Sequence, residues 1–94
     1  MYYIALKCAV KLNKSPEEIK QILNDIRINA SKLSPYRLKV VLDAISELSY
    51  DNTYDEEIKN CLIALNRALY PKLGDKSWKQ SLIQLKLTMN AYGL

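Results

Sequence analysis

The amino-acid sequence predicts an all-α fold, an antiparallel up-and-down bundle of four main helices with a short helix at the N-terminus. Three observations lead there. An apolar residue, a lysine, two further apolar or small positions and a closing apolar residue recur four times, at Ile19-Lys20-Ile22-Leu23-Ile26, Leu38-Lys39-Val41-Leu42-Ile45, Ile58-Lys59-Cys61-Leu62-Leu65 and Trp78-Lys79-Ser81-Leu82-Leu85. The spacing i, i+3, i+4, i+7 places each set on one stripe of a 3.6-residue helix, and such a stripe cannot be buried alone. Helix-start signals precede the copies, and two glycines with no Asn-Gly dipeptide leave little turn chemistry for a sheet.

Taken in order, Ile4, Ala5, Cys8, Ala9 and Leu12 suggest a short leading helix, although Tyr2-Tyr3-Ile4 equally suits the start of a strand. Ser15-Pro16-Glu17-Glu18 opens the first main helix: the serine accepts from a free amide, the proline lacks the amide that would go unpaired, and Glu18 completes a capping box. This helix is expected to reach about Lys32. Ser34-Pro35 repeats the device and opens a helix to about Tyr50. Thr53 with Glu56 offers another capping box, and Asp55, Glu56 and Glu57 meet the positive end of the helix dipole, so a third helix is expected to run to Tyr70. Pro71, Gly74 and Asp75 mark a loop, and a last helix spans roughly Lys76 to Tyr92, with Gly93 where a C-terminal cap belongs.

Ninety-four residues make one helical domain, 1–94, with a single core. Apolar content of 49% against 26% charged residues fits a folded chain rather than a disordered one. The stripes start at 19, 38, 58 and 78, so two copies span the length of one helical hairpin in HEAT-type solenoids. Two stacked α-hairpins are therefore the alternative to the closed bundle. The bundle is preferred because a free solenoid of fewer than three hairpins is short of neighbours.

Catalytic chemistry has few carriers. The chain has no histidine, the commonest general base and metal ligand, so neither Cys8 nor Cys61 has the usual partner of a nucleophile; both fall on apolar stripes and read as buried, reduced thiols. Asp51-Asn52-Thr53-Tyr54-Asp55 resembles the start of a calcium loop, yet Glu56 stands where the turn demands glycine and Leu62 where a bidentate acid is required. No glycine-rich phosphate loop exists. The protein is expected to be no enzyme and to need no cofactor or metal. The segment Met1–Leu12 is interrupted by Lys7 and Lys11 and is far shorter than the ~20 residues of a membrane span, so a cytoplasmic, non-spanning protein is expected.

The net charge of +4 is unevenly spread: 1–41 carry +5, 42–59 carry −5, and 60–94 carry +4. Such blocks pair within a fold or present a basic surface to phosphate or anionic lipid. Lys20, Lys39, Lys59 and Lys79 recur beside the stripes, where long stems cover the core edge and keep the charge wet. As a ladder they would instead meet a nucleic-acid backbone; Lys20, Arg27, Lys32, Tyr36, Arg37 and Lys39 are the candidates, with the tyrosine stacking. Lys7, Lys11 and Lys14 add a basic edge to the leading segment.

Seven tyrosines accompany no phenylalanine. Tyr50, Tyr54 and Tyr70, at helix ends, suit rings that close the core while hydroxyls reach water. Tyr2, Tyr3, Tyr36 and Tyr92 suit a contact surface, because tyrosine is enriched in binding hot spots. Trp78 fills the first apolar slot of its copy and reads foremost as a core anchor. The candidate surface for a protein partner joins the C-terminal end to the preceding loop: Tyr70, Lys72, Asp75, Trp78, Tyr92 and Leu94.

From Leu33 to Leu94 the chain resembles the bacteriocin immunity proteins of Gram-positive bacteria, through Leu38, Leu42, Ala44 and Leu48, through Glu57-Ile58 with Leu62 and Leu65, and through Leu82, Leu85 and the ending Asn90-Ala91-Tyr92-Gly93-Leu94. The resemblance implies a small, basic, cytosolic, non-catalytic bundle that protects its host by binding a toxin or the toxin's receptor complex. Leu33-Ser34-Pro35 through Leu69 is also similar to an α-hairpin repeat of organellar RNA-binding proteins, through Leu38, Leu42, Ala44, Ile45, Leu48 and Tyr50, which implies an RNA partner. The first choice is an immunity or inhibitor protein; the alternatives are an RNA-binding module or a small phage or plasmid regulator. A small homo-oligomer is compatible with each.

Overall fold

The computed structural model describes residues 15–48 and 52–94. The expected leading helix over Ile4–Leu12 lies outside the described residues, as do Tyr2, Tyr3, Lys7, Cys8, Lys11, Lys14 and Tyr50. The all-α expectation holds. Four α-helices occur, α1 (Pro16–Ile28), α2 (Pro35–Leu48), α3 (Asp55–Leu69) and α4 (Lys79–Ala91), with one 3-10 turn between α1 and α2 (Ala30–Lys32), one before α3 (Asn52–Tyr54) and two between α3 and α4 (Tyr70–Lys72 and Lys76–Trp78), and no strand occurs among the described residues.

Local chemistry sets the helix ends. The Glu18 amide donates to Ser15 Oγ at 3.4 Å and the Arg37 amide donates to Ser34 Oγ at 3.3 Å, so both serine-proline starts work as the sequence predicts. α1 stops at Ile28 rather than Lys32, because the Asn29 side chain and backbone amides both donate to the Asp25 carbonyl, at 2.9 and 3.1 Å, and the chain tightens into the 3-10 turn that precedes Ser34-Pro35. α3 starts at Asp55: Thr53 sits inside the 3-10 turn Asn52–Tyr54, and the acids Asp55, Glu56 and Glu57 occupy the first helical turn. Pro71 ends α3 by permitting only a short 3-10 turn. α4 begins three residues later than expected, since Asp75 Oδ1 accepts from the Ser77 amide (2.9 Å) and hydroxyl (2.7 Å) and winds Lys76–Trp78 into a 3-10 turn first. At the far end Gly93 has φ of 75°, and the Leu94 amide reaches the Met89 carbonyl (2.9 Å) while the Gly93 amide reaches that of Asn90 (3.0 Å), which completes a Schellman cap.

Stripe residues from all four helices meet in one core, with Leu23, Leu38, Leu42, Ile58, Leu62 and Leu65 fully inside. The packing order is the feature that the closed-bundle preference does not anticipate. α1 lies chiefly along α3, and α2 along α4, so the main neighbours are two apart in the chain. Each pair runs in the same direction. Lys20 Nζ is 3.4 Å from Glu57 Oε1 near the starts of α1 and α3, while Arg27 and Ile28 share a cleft with Arg67 and Ala68 near their ends. In the second pair the buried Ser81 hydroxyl donates to the Pro35 carbonyl at 2.8 Å, and Gln84 Nε2 donates to Asp43 Oδ1 at 3.0 Å. Two parallel pairs built from consecutive helices are the layout of two stacked hairpins, α1–α2 and α3–α4. The sequence period agrees with it: the α1 and α3 stripes start at 19 and 58, the α2 and α4 stripes at 38 and 78.

Since Leu42 and Leu62 are wholly buried, Leu42→Ala and Leu62→Ala are each expected to cost ~2–5 kcal/mol. Thermal unfolding followed by circular dichroism checks this. A loss of ~10 °C or more is expected for a domain this small, and unaltered midpoints in both variants would contradict the stripe assignment.

Candidate functional site

Two surfaces gather the residues that the sequence singles out. The first lies beside α4 at the C-terminal end. Tyr70 (66% exposed), Leu73 (60%) and Leu94 (40%) stand on a groove of about 300 Å³, whose walls include Leu82, Met89, Asn66 and Asn90 and whose one charged lining residue is Lys86. The 3-10 turn after α3 holds Tyr70 out, and the Schellman cap turns the chain so that Leu94 reaches the same groove. Tyr70 is thus exposed, where closing the core was the structural expectation for its ring. Leu73 was missed by the sequence reading; an apolar residue between Pro71 and Gly74 in a predicted loop is the signal that marks it.

The remaining members of the predicted recognition set play other parts. Trp78 is only 6% exposed and belongs to the core, so it is not available to a partner. Asp75 is spent on its turn: the hydrogen bonds from Ser77, with Lys72 nearby, hold its carboxyl below the usual range. Lys72 is exposed on the turn beside Tyr70. Tyr92 packs half-buried against the core, and its hydroxyl is buried with no hydrogen-bond partner among the described residues. Burial, and then the Asp55 carboxylate, push its pKa up.

The nucleic-acid set is divided. Lys20 is paired with Glu57, Arg27 lines the cleft between α1 and α3, and Lys39 borders a depression beside Gln80, Ile83 and Leu87 on the α2–α4 layer. Lys32, Tyr36 and Arg37 are exposed around the α1–α2 connection. The four repeated lysines are split in the same way, Lys20 and Lys59 on α1 and α3, Lys39 and Lys79 on α2 and α4, and do not form one ladder. Tyr54, by contrast, is buried as its helix-end position suggests.

Cys61 lies in the core, where burial pushes its thiol up to about 12 against a smaller opposing effect of Arg27. Among the described residues no three His, Cys, Asp or Glu side chains converge as metal ligands, and no helix is long and apolar enough to cross a membrane. No family model, curated protein or solved structure matches the chain.

A buried hydroxyl without a partner costs ~1–3 kcal/mol, so Tyr92→Phe is expected to keep or raise the melting temperature; a fall of several degrees would show that the hydroxyl is satisfied after all. The thiol gives a second expectation. The folded state holds the Cys61 proton to about 12 where the ordinary value is 9.0, so its contribution to stability is complete below pH 9 and is lost as pH rises toward 12. In a Cys8→Ser background, Cys61 should resist disulfide-exchange reagents at pH 8 until the protein unfolds. Rapid labelling of the native protein would contradict its burial.

Proposed function

We propose that this is a non-catalytic binding protein, of the inhibitor or immunity type, that engages a protein partner through the groove beside α4. The observation that carries the reading is the grouping of Tyr70, Leu73 and Leu94, three exposed apolar or aromatic side chains held by capped turns rather than by a mobile strand of chain, around one concavity. A groove of this kind gives a large side chain a place to lose its water, and a tyrosine at its rim supplies area with few rotamers to freeze. The rim is cationic, with Lys86 in the lining and Lys72 on the adjoining turn, which suits a partner that presents an apolar anchor flanked by carboxylates. The resemblance to bacteriocin immunity proteins supports a partner in a toxin or its receptor complex.

A photo-crosslinking residue placed at Tyr70, with Glu17 at the start of α1 as a control, identifies the partner in the host cell. The purified partner is then titrated calorimetrically with the wild-type protein and with Leu73→Ser. Crosslinks specific to position 70 and at least a tenfold weaker Kd for Leu73→Ser, with an unchanged melting temperature, are expected. Equal crosslinking from both positions, or an unchanged Kd, would contradict the reading.

A further inference from the structure

The cleft between α1 and α3 lies apart from the C-terminal groove and has about 670 Å³, more than twice the volume of that groove. Arg27 stands on its α1 wall and Arg67 on its α3 wall, with Asn24, Asn60 and Ser31 between them, and no carboxylate lines it. We propose that this cleft binds a phosphate group, carried either by a free nucleotide or by a polynucleotide strand.

Placement is the first support. Because α1 and α3 run in the same direction, two last-turn arginines from separate helices come to opposite walls of one cleft. Arg27 is already positioned: its Nε and Nη2 donate to Asn24 Oδ1 at 3.2 and 2.7 Å, which leaves three of the five guanidinium N–H groups uncommitted. The side chains of Arg67, Asn60 and Ser31 make no hydrogen bond or ion pair among the described residues. Together they line the cleft with guanidinium, amide and hydroxyl donors, the mixture that phosphate oxygens accept from.

The neighbouring acids are occupied or distant. Asp25 accepts from Gln21 Nε2 at 3.1 Å, and Glu57 is paired with Lys20. Asp55 begins α3, and at ~1.5 Å per residue it lies about 18 Å along the helix from Arg67. The two helix C-termini oppose an anion, by about −0.5 charge each, as does the charge of Asp25 beyond the lining, and within the lining the two guanidinium groups are the only charged side chains. No aromatic ring lines the cleft, so a base has nothing to stack on, and recognition rests on the phosphate rather than on base identity.

The test titrates the full-length, ¹⁵N-labelled chain separately with inorganic phosphate, AMP and a ten-residue oligouridylate, with amide shifts reporting where each binds. Shifts centred on Ser31, Asn60 and Arg67 are expected, and Arg67→Gln is expected to weaken every probe that binds at least tenfold while the melting temperature stays within a few degrees. Should Arg67→Gln melt lower, Asn60→Ala provides the same comparison. Two phosphate contacts on a single strand predict a slope of about −1.4 for log K against log salt. Binding of phosphate and AMP as well as RNA identifies a phosphate-group site open to free nucleotides; binding of RNA alone identifies a strand. The proposal is overturned if no probe shifts these amides, if shifts centre elsewhere, or if both variants bind as the wild type does. Arg27 and Arg67 would then serve only to offset their helix ends.

Discussion

Everything in this fold depends on four apolar stripes that must be covered by one another. Each stripe is apolar enough to need cover from a neighbour, and α4 also leaves Ile83 and Leu87 exposed. All four stripes follow the same spacing at a nearly even period, and the helices that pack most closely, α1 with α3 and α2 with α4, are those two periods apart. Ser81 shows how close that repetition is. It takes the slot held by Ile22, Val41 and Cys61 in the other copies, and its hydroxyl, buried in that slot, finds the Pro35 carbonyl across the α2–α4 seam.

The same pairing decides what the surface offers. Parallel neighbours bring equivalent ends together, which is why Lys20 meets Glu57 at one end of the α1–α3 pair and Arg27 faces Arg67 at the other. It also splits the repeated lysines between two layers, so the ladder that a linear reading suggests is not assembled. Beside α4 the exposed Tyr70, Leu73 and Leu94 collect around one groove.

Much of the fold is legible in the sequence because its signals are local. The caps at Ser15 and Ser34, the acidic first turn at Asp55–Glu57, the break at Pro71 and the glycine at 93 each act through hydrogen bonds or sterics within a few residues. The boundaries that shift do so through competing local bonds: Asn29 doubles back on Asp25, and Asp75 winds a 3-10 turn ahead of α4. Packing order is less legible, since an i, i+3, i+4, i+7 stripe states that a face is buried and not which face covers it. The candidate surfaces divide along the same line. Arg27, Tyr70 and Leu94 stand out by type and position, whereas Arg67 and Asn60 gain meaning only from the neighbour that parallel packing supplies. Trp78 is buried, as the first apolar slot of its copy suggests, whereas the use of Asp75 in the turn ahead of α4 depends on its bonds to Ser77.

Parallel pairing of helices two apart is open to direct measurement. A methyl-resolved NOESY spectrum of isoleucine-, leucine- and valine-labelled protein should join the α1 stripe to the α3 stripe in ascending order, with Ile19 nearest the Ile58 end and Ile26 nearest the Leu65 end. Cross-peaks in descending order, or a stripe of α1 joined mainly to that of α2, would contradict the stacked arrangement and with it the shared cleft of Arg27 and Arg67.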